Sequence, residues 1–145
     1  MKRLHPLTPL APLTAAVALC AALATAAHAQ DDEPLLPQQF GAATVVNGGA
    51  GLDEAAAIKR MAGHYPLRIV FSQRNGDYEV ADSLQVMRGG ERVAEVPDAG
   101  PWLLVDLPPG RYTLRGDFGG RMEQREVTIG RGGQTVHWVR GGAQG

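Results

Sequence analysis

The chain has 145 residues, with 14 basic and 15 acidic side chains for a formal net charge of −1, 44% hydrophobic residues and a single cysteine. Near-neutral charge without a basic cluster speaks against a nucleic-acid partner. One cysteine excludes a disulfide framework, so stability must come from one packed core.

Residues 1–29 begin with Lys2 and Arg3, continue through an apolar run over 13–26 and end in Ala27-His28-Ala29. This is the layout of a secretory signal peptide cleaved between Ala29 and Gln30. The run is too short and too alanine-rich for a membrane span, which takes roughly 20 strongly apolar residues. No span is therefore expected in the mature chain. Cys20 lies inside the run and follows Leu19 rather than the small residue of a lipoprotein signal, so it is expected to leave with the leader. Cleavage removes two basic residues and no acidic one, leaving 12 against 15 and a net charge of −3. The expected location is the periplasm, or outside the cell.

Residues 30–47 carry Asp31, Asp32, Glu33, Pro34 and Pro37 and lack a sustained period, which reads as a flexible lead-in, with a short strand allowed over 40–46. Residues 48–63 read as a glycine hinge and a short helix. The glycines at 48, 49 and 51 lack the Lys-Ser/Thr of a phosphate loop, so a plain hinge is the better account. Over 52–62, Ala55, Ile58, Met61 and Ala62 share one helical face, Asp53 and Glu54 sit at the start, Lys59 and Arg60 near the end, and Gly63 stops the helix.

From 64 to 140 the chain is a series of short strands cut by turn signals, the pattern of an all-β sandwich. Seven strands are predicted, over 67–73, 80–88, 91–96, 102–107, 111–118, 121–129 and 134–140, with 97–100 as a turn and 141–145 as a disordered tail. Residues 102–107 are apolar on both faces and read as an interior strand. Pro108 and Pro109 end it, and Gly110 frees the turn into a cleanly alternating strand with Tyr112, Leu114 and Phe118 on one side and Gly116 between them. Seven strands in so short a segment make a small core. Phe71, Tyr112, Phe118 and Trp138, with Trp102, are therefore expected to carry much of the burial, and Trp102→Ala is expected to cost about 3–5 kcal/mol.

The run Leu107-Pro108-Pro109-Gly110-Arg111-Tyr112-Thr113-Leu114 resembles the L-P-x-G-x-Y-x-L signature of carboxypeptidase-regulatory-like, prealbumin-like domains. The GGxGxxE stretch at 48–54 and Tyr65-Pro66-Leu67 are similar to small exported proteobacterial proteins that carry one such domain. The resemblance spans roughly 48–138. It implies a seven-stranded prealbumin-like or Ig-like sandwich that is not catalytic, related in shape to transthyretin and starch-binding-like domains. Leu107, Gly110 and Tyr112 would form its structural motif, the Tyr112 hydroxyl bonding back to backbone as in a tyrosine corner.

No catalytic, cofactor or metal site is predicted. His64 and His137 lie far apart without the spacing of a zinc site. Ser72 and Ser83 lie outside G-x-S-x-G, and Asp82-Ser83 are strand neighbours that point to opposite faces. Glu91 and Glu95 read as solvated charges. Val139-Arg140-Gly141-Gly142 resembles the Tyr-Arg-Gly-Ser tail of transthyretin-like hydroxyisourate hydrolases but lacks its tyrosine and serine. The leading expectation is a binding or protein-interaction module for a protein, peptide or glycan, with Trp102 and Tyr78 as contact residues. The alternatives are an accessory envelope protein without a ligand and, behind it, a transthyretin-like hydrolase. An exposed tryptophan beside Tyr78 would favour glycan stacking; two buried tryptophans would favour a protein partner or a scaffold.

Overall fold

The computed structural model describes residues 35–141. The leader with Cys20, the Ala29/Gln30 cleavage point, residues 30–34 and the tail over 142–145 lie outside the described residues. The fold is mostly β, with two sheets and one short helix. In chain order the elements are β1 (Gln38–Phe40), β2 (Ala43–Gly48), α1 (Leu52–Met61), a 3-10 turn (Ala62–His64), β3 (Leu67–Gln73), β4 (Ala81–Arg88), β5 (Glu91–Ala99), β6 (Trp102–Asp106), β7 (Gly110–Phe118), β8 (Arg121–Ile129) and β9 (Gln134–Arg140). One sheet has five strands in the order β1-β2-β6-β3-β9, the other four in the order β5-β4-β7-β8. All pairings are antiparallel except β3 with β9, which runs parallel from Leu67↔Gln134 to Gln73↔Arg140.

Nine strands replace the seven predicted, the additional two being β1 and β2, of which β2 overlaps the short strand allowed over 40–46. Residues 38–48 are thus part of a sheet rather than a flexible lead-in, and the proposed boundary at 47/48 falls inside β2. The reason is visible in β2, where Ala43 and Val45 enter the main core and Val46 faces the helix, so the strand is apolar on both faces. Asn47 does not break it. Its side-chain amide donates to the Asp98 carbonyl at 2.9 Å and its oxygen accepts from Gly100 N at 2.8 Å, clamping the β5–β6 turn. The strand predicted over 91–96 runs on through Pro97 to Ala99. Pro97 is tolerated because β5 is an edge strand, where a missing N–H leaves no ladder bond unmade. Gly63 does not stop the helix directly but lies inside the 3-10 turn that follows it.

The two sheets face one another across a single main core. Alternation puts Leu67, Ile69 and Phe71 of β3, Leu103 and Val105 of β6 and Trp138 of β9 against Leu84 and Val86 of β4, Tyr112, Leu114 and Phe118 of β7, and Val127 and Ile129 of β8. Phe71, Phe118 and Trp138 pack as a triad with ring centroids 5.5–5.8 Å apart. Gly116 makes this possible: a Cβ there would lie 2.7 Å from the Phe118 ring. A second, smaller cluster on the outer face of the five-stranded sheet packs Ile58 of α1 on Val46 and Leu104, with Met61, Tyr65 and Trp102 at its margin.

Trp102 is therefore not a core residue. It is half-buried and faces the helix, whereas Leu103 and Val105 on the same strand face the main core. This corrects the expected cost. Trp138→Ala is expected to destabilise by about 3–5 kcal/mol, as for a fully buried aromatic. Trp102→Ala, with part of its surface already in water, is expected to cost about 1–2 kcal/mol. Denaturant unfolding of the two variants checks the ranking, and equal losses would contradict it.

Candidate functional site

The outer face of the five-stranded sheet is covered by α1 over β2 and part of β6 and left open toward β9. The register sets side chains across it in rows, Gly48–Trp102–Val70–His137 and Val46–Leu104–Arg68–Thr135. Trp102 stands where the helical cover ends. Tyr78, held near the sheet by the Ser72↔Tyr78 bridge, meets the indole edge-on with centroids 6.5 Å apart and is 49% exposed. Lys59 of α1 places its ammonium 5.5 Å from the indole centroid, a distance at which the ring quadrupole attracts a cation. The indole N–H is enclosed and has no acceptor among the described residues.

The glycine hinge supports this surface. Gly49 adopts φ +91, and a Cβ on it would lie 2.7 Å from the Trp102 ring. Its N–H donates to Glu54 Oε2 at 3.0 Å, so the third helical residue reaches back to satisfy backbone ahead of the helix, as in a capping box. The GGxGxxE stretch thus seats α1 and leaves room for the indole. Lys59, Gly49 and Glu54 are the members of the site that motif reading missed. Gly49 and Glu54 lie in the GGxGxxE stretch, whose part in seating the indole has no signal in the sequence, and Lys59 was legible only as a basic residue near the helix end.

The structural motif lies elsewhere, at the crossing between the sheets. The Tyr112 hydroxyl donates to the Pro108 carbonyl at 2.6 Å and accepts from Arg88 Nη1 at 3.3 Å, while the Arg88 guanidinium stacks 5.3 Å from the ring centroid. Leu107 is buried in the main core, and Gly110, at φ +154, lies where a Cβ would press on Arg88.

The other residues considered for chemistry are dispersed. His137 is exposed opposite Val70, and His64 ends the 3-10 turn. Glu95 accepts from Gln85 at 3.5 Å and pairs with Arg92 at 2.7 Å, while Glu91 lies opposite Arg88 at the β4–β5 hairpin. Asp82 accepts from Gly119 N at 2.7 Å, tying a neighbouring turn. Among the described residues no three of His, Asp and Glu converge as a metal site would require, and no helix is long and apolar enough to cross a membrane.

Arg140 is bound up in an ionic cap. It reaches Glu79 at 2.5 Å and Glu123 at 3.5 Å and lies 4.5 Å from the Phe118 centroid, while Glu123 also accepts from Trp138 Nε1 at 2.9 Å. The hydrogen bond to Glu79 raises the Arg140 pKa; burial opposes this, and the charges of Glu79 and Glu123 with the Glu123 hydrogen bond reinforce it. A raised pKa on a base contributes stability that is complete below its unfolded value and is lost only as pH climbs through the folded one. Arg140 therefore adds no pH dependence through the neutral and mildly alkaline range.

Arg140→Ala would leave Glu79 without its cationic partner, one Glu79 oxygen already being enclosed without a partner, and Glu123 with only Arg125 at 3.9 Å and the Trp138 N–H. A loss of about 2–3 kcal/mol is expected, below that of a fully buried pair because the groups retain some solvent. Chemical denaturation checks it, and the same loss should be found at neutral and mildly alkaline pH. Comparison with known proteins finds no family model that matches the chain and no curated protein of significant similarity.

Proposed function

We propose that the protein is an exported, non-catalytic binding module of carboxypeptidase-regulatory-like, prealbumin-like type, freed into the periplasm by cleavage between Ala29 and Gln30. Its contact surface is the patch around Trp102 and Tyr78, and its ligand is a glycan. The observation that carries this reading is the half-buried Trp102 with exposed Tyr78 beside it, outside the main core, at the boundary between the helix-covered and open parts of a sheet face. With the indole N–H enclosed, the pair offers an apolar ring surface with the Tyr78 hydroxyl as its polar edge, which suits the C–H face and hydroxyl edge of a sugar ring.

The two tryptophans make the test direct. Trp138 is buried and bonded to Glu123, so a ligand at the outer face changes emission through Trp102. Titration with a panel of neutral and acidic oligosaccharides, and with short peptides as a comparison, should give a saturable change with at least one sugar. Because Trp102 is also the reporter, the variants are read by calorimetry: Trp102→Ala should abolish binding of that sugar, and Tyr78→Ala should weaken it about tenfold, the range of a lost stacking contact. A response to peptides alone would replace the glycan by a protein partner. Silence across the panel would favour an accessory envelope protein without a ligand.

A further inference from the structure

At the opposite end of the five-stranded sheet, the segment leaving the 3-10 turn meets the turn between β8 and β9, where Gln134 N donates to the Pro66 carbonyl at 2.7 Å. The junction forms an open pocket of about 260 Å³ whose lining includes His64, Tyr65, Arg68, Arg131 and the glycines at 132 and 133. Every ionisable group of charge-bearing type there is basic; no carboxylate lines it.

Arg68 is set up as a receptor. Its Nε donates to Thr135 Oγ1 at 3.0 Å and its Nη1 to the Ala62 carbonyl at 3.2 Å. Two neutral acceptors therefore fix the plane of the guanidinium without neutralising it, and Nη2 is left over. Neither Arg68 nor Arg131 is within ion-pair distance of a carboxylate among the described residues. The approach to Nη2 is kept open by Gly133, at φ +72, where a Cβ would lie 3.2 Å from that nitrogen and 3.1 Å from the Pro66 carbonyl oxygen. An arginine whose fork is already immobilised binds an oxyanion without the ordering cost that flexible surface cations incur. The Arg131 guanidinium and the His64 imidazole also belong to the lining.

We infer that this pocket binds a small oxyanion, a carboxylate or a phosphate group, between Arg68 and Arg131 with His64 beside it. Its volume is below that of a drug-sized pocket, which runs from about 300 Å³ upward, and suits a single anionic group or a short molecule that ends in one. The site shares no residue with the Trp102–Tyr78 surface and stands or falls independently of it.

The test is a titration of the isotope-labelled protein with sodium phosphate and, separately, sodium acetate at constant ionic strength, followed by amide and arginine Nε resonances in NMR. A saturable shift confined to residues 63–68 and 131–135 is expected with at least one anion; which one distinguishes a tetrahedral from a planar oxyanion. Arg131→Gln, which disturbs no side-chain hydrogen bond among the described residues, should weaken binding about tenfold or more, as for a lost charge-assisted bond. Arg92→Gln, on an exposed edge strand, should leave it unchanged. Shifts that do not saturate, that scatter over the surface, or that persist unaltered in Arg131→Gln would overturn the assignment.

Discussion

The hydrogen bond from the Tyr112 hydroxyl to the Pro108 carbonyl fixes one of the four passages between the sheets, the one that joins β6 to β7. On one side of it β6 lies between β2 and β3; on the other, β7 lies between β4 and β8. Each is an interior strand, so the neighbours on both sides take their register from it. The two prolines leave that passage with few backbone donors and few conformations, and the tyrosine ties its far end to its near end. Arg88 closes over the ring from β4, so the crossing is covered as well as tied. The role is one of geometry: Tyr112 and Leu107 are buried, while Pro108 and Pro109 between them face solvent.

The five-stranded sheet differs from its partner in having apolar residues on both faces. Its inner face builds the main core, and its outer face carries Val46 and Leu104 under α1. A helix of ten residues is too short to hold itself in water and cannot cover five strands. The outcome is a face that is dry over β2 and β6 and wet over β9, and both candidate binding places lie along that margin. Trp102 meets Tyr78 past one end of the helix, and Arg68 faces the pocket past the other. The four-stranded sheet carries no comparable helix among the described residues, and its edge strand β8 presents mainly charged and polar side chains, which discourage pairing with another chain.

Strands and turns from residue 67 onward were legible because the period-two alternation there is strong and glycine pairs mark the hairpins. The tyrosine-led strand with Gly116 among its inward residues was equally plain. What escaped depended on partners distant in sequence. Asn47-Gly48 has the composition of a break, yet Asn47 spends its amide on the turn at residues 98–100, some fifty residues away. The inclusion of Pro97 in a strand depends on β5 being an edge, which follows from strand order and not from local pattern. Trp102 and Leu103 have similar apolar character, and only the docking of α1 distinguishes the half-buried position from the core one. Of the candidate site, Trp102 and Tyr78 were readable as aromatics on a strand and beside a turn. Lys59, Arg68 and Arg131 were not, since lone basic residues acquire meaning only through the neighbours the fold gives them.

The parallel pairing of β9 with β3 bears on the order in which the molecule can be made. Every antiparallel hairpin of the four-stranded sheet joins strands close in sequence, but β9 returns from the end of the described chain to lie beside the first strand after the helix. It brings Trp138, the largest side chain of the core, and Arg140, which closes the cap over Phe118. A chain that has emerged only as far as Ile129 therefore has its hairpins but an unfilled centre, and contacts of such long sequence separation form late because loop closure must come first. Completion of the interior is deferred to β9, the last of the described strands, so the centre stays loose until β9 has been made.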